Sequence, residues 1–424
     1  MTTTGPGEIS MRILELAQAD RFAELRDLFA PNLRAMLTPE SLRAVWRAEI
    51  ERHGPVTAVD APVSDPEGPG GTLVRTPVVF AHGRVTMLAT ITGSGWVVGI
   101  QFAGADAAAP AEPWRPPGYA DPGAFDEEDL TIGSGPLAVG GTLSRPRAPG
   151  PHPAVVLLPG SGPMDRDETI GRNKPFKDLA WGLASRGVAV LRFDKVTRAH
   201  PGLITADFTV DDEYLHHATA ATHLLRQREG VDPARVFILG HSLGGTVAPR
   251  VASADPSVAG LVLLAGGAQP LHWSAVRQLR YLGSLDPAGA DTVQPAIDAL
   301  TRQATAVDSP SLSTATPASD LPFGVPAPYW LDLRGYDPPA AAAALGKPVL
   351  ILQGGRDYQV TVDDDLARWR AALAGRPGVT VRVHDADNHL FFSGSGPSKP
   401  SEYESAQHMD AAVVIDVADW LNRS

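Results

Sequence analysis

The chain has 424 residues, 43% of them hydrophobic and 20% charged, the proportions of a folded globular protein with two or three domains. No apolar run reaches the roughly 20 residues of a membrane-spanning helix, which argues against a membrane partner, and the net charge of −12 argues against a nucleic-acid partner. The absence of cysteine excludes disulfides, thiolate metal sites and a cysteine nucleophile.

Met1 to Ser10 has neither the basic stretch nor the apolar stretch of a secretory signal, so a cytoplasmic location is expected. Residues 9–53 carry a helical apolar stripe (Ile13, Leu14, Leu16, Phe22, Leu25) that Pro31 interrupts and Pro39 restarts. The period then changes. Thr72–Phe80, Arg84–Ile91 and Gly95–Phe102 read as three strands joined by tight turns. Helices followed by an antiparallel sheet predict a small α+β domain over residues 1–105. Residues 106–126, dense in Ala, Pro, Gly and Asp, read as a linker or an extended strap between domains.

From residue 127 to 424 strands alternate with helices. Ala154–Leu158, Val188–Phe193, Arg235–Leu239, Ala259–Leu264, Pro348–Gln353 and Val379–His384 read as strands. Phe176–Arg186, Val210–Glu229, Ser242–Ala252 and Tyr403–Asn422 read as helices. The pattern predicts an α/β fold with a mostly parallel sheet and helices on both faces. It breaks at about 266–346, which reads as a helical cap inserted above the strand C-termini, where ligands bind in open α/β sheets.

One motif carries chemistry. Gly240-His241-Ser242-Leu243-Gly244 is a G-x-S-x-G pattern fed by the apolar strand Val236–Leu239 and followed by a helix-forming stretch. In isolation it also fits a glycine-rich turn with a helix-capping serine. In a strand–turn–helix setting it holds a serine hydroxyl up at a sheet edge. Such a hydroxyl needs a base and an acid that orients the base. In chain order these are Asp357, just past one strand end, and His389, just past another. Oxyanion donors are expected from the backbone N–H of Leu243 and from the loop Pro159-Gly160-Ser161-Gly162-Pro163, with Ser161 preferred and Gly160 in reserve. Asp165-Arg166-Asp167-Glu168 and Asp194-Lys195 fall at the same rim. They read either as an ion-pair network or, through Arg166, as a site for an anionic substrate group. Tyr329 and Trp330 read as pocket walls or as core. His384, Asp385, Asp387 and His389 lie close in sequence without an obvious shared face, so no metal is expected.

These residues make the chain resemble a serine α/β-hydrolase. The phrases Gly160-Ser161-Gly162-Pro163-Met164-Asp165-Arg166-Asp167, Tyr329-Trp330-Leu331-Asp332-Leu333, Gln353-Gly354-Gly355-Arg356-Asp357 and Asn388-His389-Leu390-Phe391 are similar to a bacterial esterase subgroup that resembles dienelactone hydrolases. That subgroup often carries an N-terminal DUF3887-type domain, which residues 9–103 resemble. The resemblance implies hydrolysis of small carboxylic esters without a cofactor. The expected partner is a small-molecule ester or acyl substrate, and a homodimer through the N-terminal sheet is a further expectation. Two alternatives remain open: an acyltransferase or cyclase using the same serine, and a non-catalytic binding protein on the same fold.

Overall fold

The computed structural model describes residues 5–34, 37–65, 71–105, 114–285 and 290–424. Part of the expected N-terminal signal-free stretch, residues 106–113 of the expected linker and residues 286–289 of the expected cap lie outside them. The chain divides into two compact units, Met1–Pro113 and Trp114–Ser424.

The first unit packs helices α1 (Pro6–Gln18), α2 (Phe22–Asp27), α3 (Pro31–Arg34) and α4 (Pro39–His53) with strands β1 (Val56–Val59), β2 (Val63–Ser64), β3 (Thr72–Phe80), β4 (Gly83–Ile91) and β5 (Val97–Gly104). The sheet is antiparallel in the order β1-β3-β4-β5, with β2 on β3. Alternate strand residues Val74, Val78, Val85, Met87, Ala89 and Ile91 join Ile13, Leu14, Leu16 and Phe22 in one core. The period-2 pattern made β3 to β5 legible. The short β1 and β2 went unpredicted because four and two residues carry too little alternation.

The second unit begins with β6 (Phe125–Ile132), β7 (Val139–Pro146), β8 (His152–Leu158), α5 (Pro175–Ala184), β9 (Ala189–Phe193), α6 (Val196–Ala199) and α7 (His216–Arg226). It continues with β10 (Val231–His241), α8 (Leu243–Ala254), β11 (Leu261–Leu264), α9 (Leu271–Leu285), α10 (Ala290–Asp308), α11 (Ala327–Arg334), α12 (Pro338–Leu345), β12 (Val349–Gly354), α13 (Ala367–Ala372), β13 (Val379–His384) and α14 (Ala411–Arg423). The eight strands run in the order β13-β12-β11-β10-β8-β9-β7-β6. They are parallel from β13 to β9, and β7 and β6 close one edge antiparallel.

The central strands are buried on both faces. Ala154, Val156 and Leu158 of β8 point into a core with α7, α8 and α13, while Val155 and Leu157 point into a second core with α5 and α14. Each fully buried Val or Leu side chain contributes roughly 1.5–3 kcal/mol. This two-sided burial explains the continuous apolar runs by which the strands were read.

Four expectations change. Trp114 to Ala124 is packed rather than a free linker: the Trp114 indole donates to Asp178 (2.8 Å) and meets the Trp181 ring edge-on at 4.9 Å. The helix expected over 210–229 starts as a π-helical turn, Asp211–Leu215, before α7. The last helix starts at Ala411, not Tyr403, because Asp410 caps it through the Ala412 N–H (2.8 Å). The cap ends sooner than expected, since Tyr329 of α11 and Ala342 of α12 belong to the main core.

Candidate active site

β10 delivers Ser242 to the C-terminal edge of the sheet, and α8 leaves immediately after it. Ser242 has φ 52° and ψ −120°, a left-handed backbone that costs a residue with a side chain roughly 1–3 kcal/mol. Its N–H is held by Leu264 O (2.9 Å) and its carbonyl accepts from Thr246 N–H (3.0 Å). The flanking glycines are obligatory. A Cβ on Gly240 would lie 2.2 Å from Gly244 O, and one on Gly244 would lie 2.1 Å from Leu158 O. The helix therefore turns back tightly over β8 and β10, and the serine stands at the bend, half-buried.

Asp357 follows β12 and His389 follows β13. The structure brings them together: His389 Nδ1 lies 2.7 Å from Asp357 Oδ2. That oxygen also accepts from Gln353 Nε2 (3.1 Å), and Oδ1 accepts the N–H groups of Gln359 (2.7 Å) and Val360 (3.0 Å). A carboxylate with four donors is satisfied as an anion. Its bond to Nδ1 makes that nitrogen the protonated one and leaves the Nε2 lone pair free in neutral His389. The loop around His389 is stiff. Asn388 Oδ1 accepts from Leu390 N–H (3.0 Å) and Phe392 N–H (3.2 Å), and Asn388 Nδ2 donates to Glu402 (2.8 Å).

His241 joins this loop to the elbow and to the Gly160 loop. Its Nδ1 lies 2.9 Å from Glu168 Oε1 and its Nε2 2.9 Å from the His389 carbonyl. Glu168 Oε1 also accepts Gly160 N–H (2.6 Å). That commitment removes the reserve oxyanion donor and leaves Ser161 as the candidate in this loop. A Cβ on Gly160 would lie 3.2 Å from the Ser242 Cβ, which fixes how closely this loop passes the serine.

Below the same loop sits a buried ion pair. Lys195 Nζ lies 2.6 Å from Glu213 Oε1 and donates to Gly160 O (2.9 Å) and Tyr214 OH (2.8 Å). The π-helical turn places Glu213 and Tyr214 side by side in the interior, a use such turns often have at functional sites. Burial lowers the Lys195 pKa against the pull of Glu213.

Above the serine lies a cavity of about 700 Å³ lined by Ser161, Ser242, Leu243, Phe208, Tyr329 and Trp330 among others. Tyr329 and Trp330 thus sit on the wall, as one of their two readings had it, while also belonging to the interior. The Tyr329 hydroxyl donates to Glu213 Oε2 (2.6 Å), and Trp330 is fully buried.

Arg166 is a correction. Its guanidinium is spent on Asp194 (2.8 Å), Gly141 O (2.9 Å) and the Thr142 hydroxyl (2.9 Å), and it is not on the cavity wall. It braces the Asp194 turn against β7 instead of receiving a substrate. Asp167 joins the same network through Arg192 (2.9 Å) and Lys174 (2.8 Å). Burial alone would raise its pKa, but these cations hold it down at about 2.

The metal reading over 384–389 also changes. His384 and Asp387 do share a face, with Asp410 of the α14 cap, and their ligand atoms lie within 4.8 Å of one another. The third member comes from a residue remote in sequence, so local spacing missed it. The Ser393 hydroxyl bridges Asp387 (2.7 Å) and Asp410 (3.0 Å), and His384 pairs with Asp416 (3.3 Å).

Sequence reasoning missed Gln353, Glu213 and the bond between His241 and Glu168. The signal for Glu168 and Lys195 was their place after strand ends. Their partners lie tens of residues away and have no local signature.

Residues 155–403 match the alpha/beta hydrolase family. The chain is 34% identical over 407 residues to the esterase EstD of Thermotoga maritima, covering 95% of this chain and 92% of that one. It is 27% identical over 148 residues to the 2,6-dihydropseudooxynicotine hydrolase of Paenarthrobacter nicotinovorans, covering 35% of this chain and 37% of that one. Among solved structures, the esterase domain of a Rhodothermus marinus protein aligns at a TM-score of 0.42 and 16% identity, covering 70% of this chain and 98% of that one. The chain belongs to the alpha/beta hydrolase family. It is a carboxylic ester hydrolase. Among the described residues no helix is long and apolar enough to cross a membrane.

Proposed function

We propose that the protein cleaves small-molecule carboxylic esters through an acyl-enzyme on Ser242. One observation carries the reading: a serine in a strained strand–helix bend on the cavity wall, whose neighbour His241 bonds the carbonyl of His389 (2.9 Å), a histidine with its Nδ1 held 2.7 Å from a fully hydrogen-bonded aspartate. His389 Nε2 takes the Ser242 proton as the hydroxyl attacks the ester carbonyl. Asp357 holds the tautomer and stabilises the imidazolium that forms. The N–H of Leu243, in the first turn of α8 and without an intrahelical partner, and the N–H of Ser161 receive the oxyanion. His389 then protonates the leaving alcohol, and water activated by the same ring releases the acid.

The experiment is intact mass after exposure to a fluorophosphonate, run beside Ser242→Ala, followed by turnover of p-nitrophenyl esters. A single adduct lost in the folded variant, with steady turnover, is expected. An adduct with a burst and almost no turnover would replace hydrolysis by acyl transfer or cyclisation. Near-normal turnover in Ser242→Ala would refute the assignment.

A further inference from the structure

We propose that His241 is a positioning residue, protonated at neutral pH, that ties the oxyanion loop to the loop of His389. The proposal rests on the reading of Ser242 and His389 given above.

Both ring nitrogens of His241 face acceptors. Nδ1 meets Glu168 Oε1 at 2.9 Å, and Nε2 meets a backbone carbonyl, His389 O, at 2.9 Å. A neutral imidazole has one N–H and one lone pair. Either neutral tautomer would set that lone pair against an oxygen lone pair in a buried site, where an unsatisfied contact is costly. Beside a Glu168 carboxylate, only the imidazolium satisfies both bonds. The one neutral alternative has a Glu168 O–H donate to Nδ1 and Nε2–H donate to the His389 carbonyl, with the proton on the oxygen that already accepts Gly160 N–H (2.6 Å), and the ring ¹⁵N shifts separate the two.

The charge has a counter-charge in place. Glu168 is buried and has φ 52°, a backbone uncommon for a residue with a side chain. The loop accepts that conformation with Glu168 Oε1 holding both Gly160 N–H and His241 Nδ1. The titratable groups facing His241 are Glu168 from the loop after β8, Asp357 from the loop after β12 and the neutral His389 ring from the loop after β13. Lys195, after β9, acts on Glu168 from the far side of Gly160. The remaining neighbour is the Phe176 ring of α5, 6.4 Å away. Burial is the largest single influence and opposes the charge on His241, but Glu168, the His389 carbonyl and Asp357 together outweigh it, so the pKa is raised.

The consequence is a continuous strut. Gly160 N–H, Glu168, the His241 ring and the His389 carbonyl run in series from the residue before the Ser161 donor to the residue that carries the base. Losing the second ring proton at high pH removes one bond of that strut and lets the two loops move apart. Misplacement of about 1 Å in such a site can cost about 10²-fold in rate.

The experiment records ¹⁵N spectra of histidine-labelled full-length protein across pH. One histidine is expected to keep both ring nitrogens protonated well above neutral pH. His241→Gln assigns that signal by its loss. Should that variant fail to fold, Glu168→Gln assigns it by lowering its titration point. In parallel, kcat against pH is expected to fall on the alkaline side as His241 loses its proton. Glu168→Gln keeps the acceptor and removes the counter-charge, so the alkaline limb should move to lower pH with KM little changed. A His241 signal from a neutral tautomer at neutral pH, or an alkaline limb unmoved by Glu168→Gln, overturns the proposal. Failure of Ser242 to take up fluorophosphonate would instead remove the acyl-enzyme reading while leaving the His241 spectrum as it is.

Discussion

Replacing Lys195 by methionine tests the stability held in the buried ion pair under the Gly160 loop. The ammonium lies 2.6 Å from Glu213 Oε1, and the two side chains are only 1% and 6% exposed. Methionine fills a similar volume, so packing contributes under about 1.5 kcal/mol. The carboxylate of Glu213 is left buried with only the Tyr329 hydroxyl on it, and breaking a buried pair in this way costs roughly 3–5 kcal/mol. At roughly 2 °C per kcal/mol for a large domain, the calorimetric transition of the larger unit should fall by about 6–10 °C. The double variant Lys195→Met/Glu213→Gln removes both charges while keeping an acceptor for Tyr329. It should recover most of the loss, to within about 2 kcal/mol of the parent. A single variant within about 2 °C of the parent would refute the reasoning. So would a double variant whose loss equals the sum of the two singles, because residues in contact are expected to couple.

Asp357→Asn should lower kcat by about 10⁴-fold, with KM much less affected, because the amide allows the wrong His389 tautomer; steady-state kinetics on a p-nitrophenyl ester read this. Arg166→Ala should destabilise the larger unit by roughly 1–3 kcal/mol through the loss of its charged hydrogen bonds, and KM for neutral and anionic esters should not separate. A selective rise in KM for anionic esters would restore the substrate role. Asp167 has its carboxyl held down at about 2 by Arg192 and Lys174, against about 3.9 when unfolded. A depressed carboxylate adds stability above its unfolded pKa and loses it as the pH falls through the folded one. The contribution, roughly 2–3 kcal/mol, should therefore disappear between about pH 4 and pH 2. Urea titrations of the parent and Asp167→Asn should converge across that window.

The parts of this molecule that could be read from sequence are those whose physics is local. A strand buried on both faces leaves a continuous apolar run, so β8 to β12 were found within a few residues. A sharp bend that admits no Cβ leaves glycines at fixed offsets, so Gly240 and Gly244 mark Ser242 in the sequence itself. Asp357 and His389 were found by chain order and by their places after strands. Arg166 shows the limit of that reasoning: its position at the rim was legible, but not which of its two readings holds, because Asp194 after β9 and the Gly141 carbonyl and Thr142 hydroxyl of β7 already consume the guanidinium. The same limit hides Glu168 and Glu213. Each is one carboxylate in an acidic chain until the fold sets His241 against the first and Lys195 against the second. Both buried pairs converge on Gly160, one on its N–H and one on its carbonyl. Gly160 is thus held through both of its peptide planes, and the plane whose carbonyl Lys195 grips is the one that carries the Ser161 N–H. The orientation of that donor is therefore set by two ion pairs from four separate segments, which is why substitutions at Lys195 or His241 should reach the chemistry without touching the substrate.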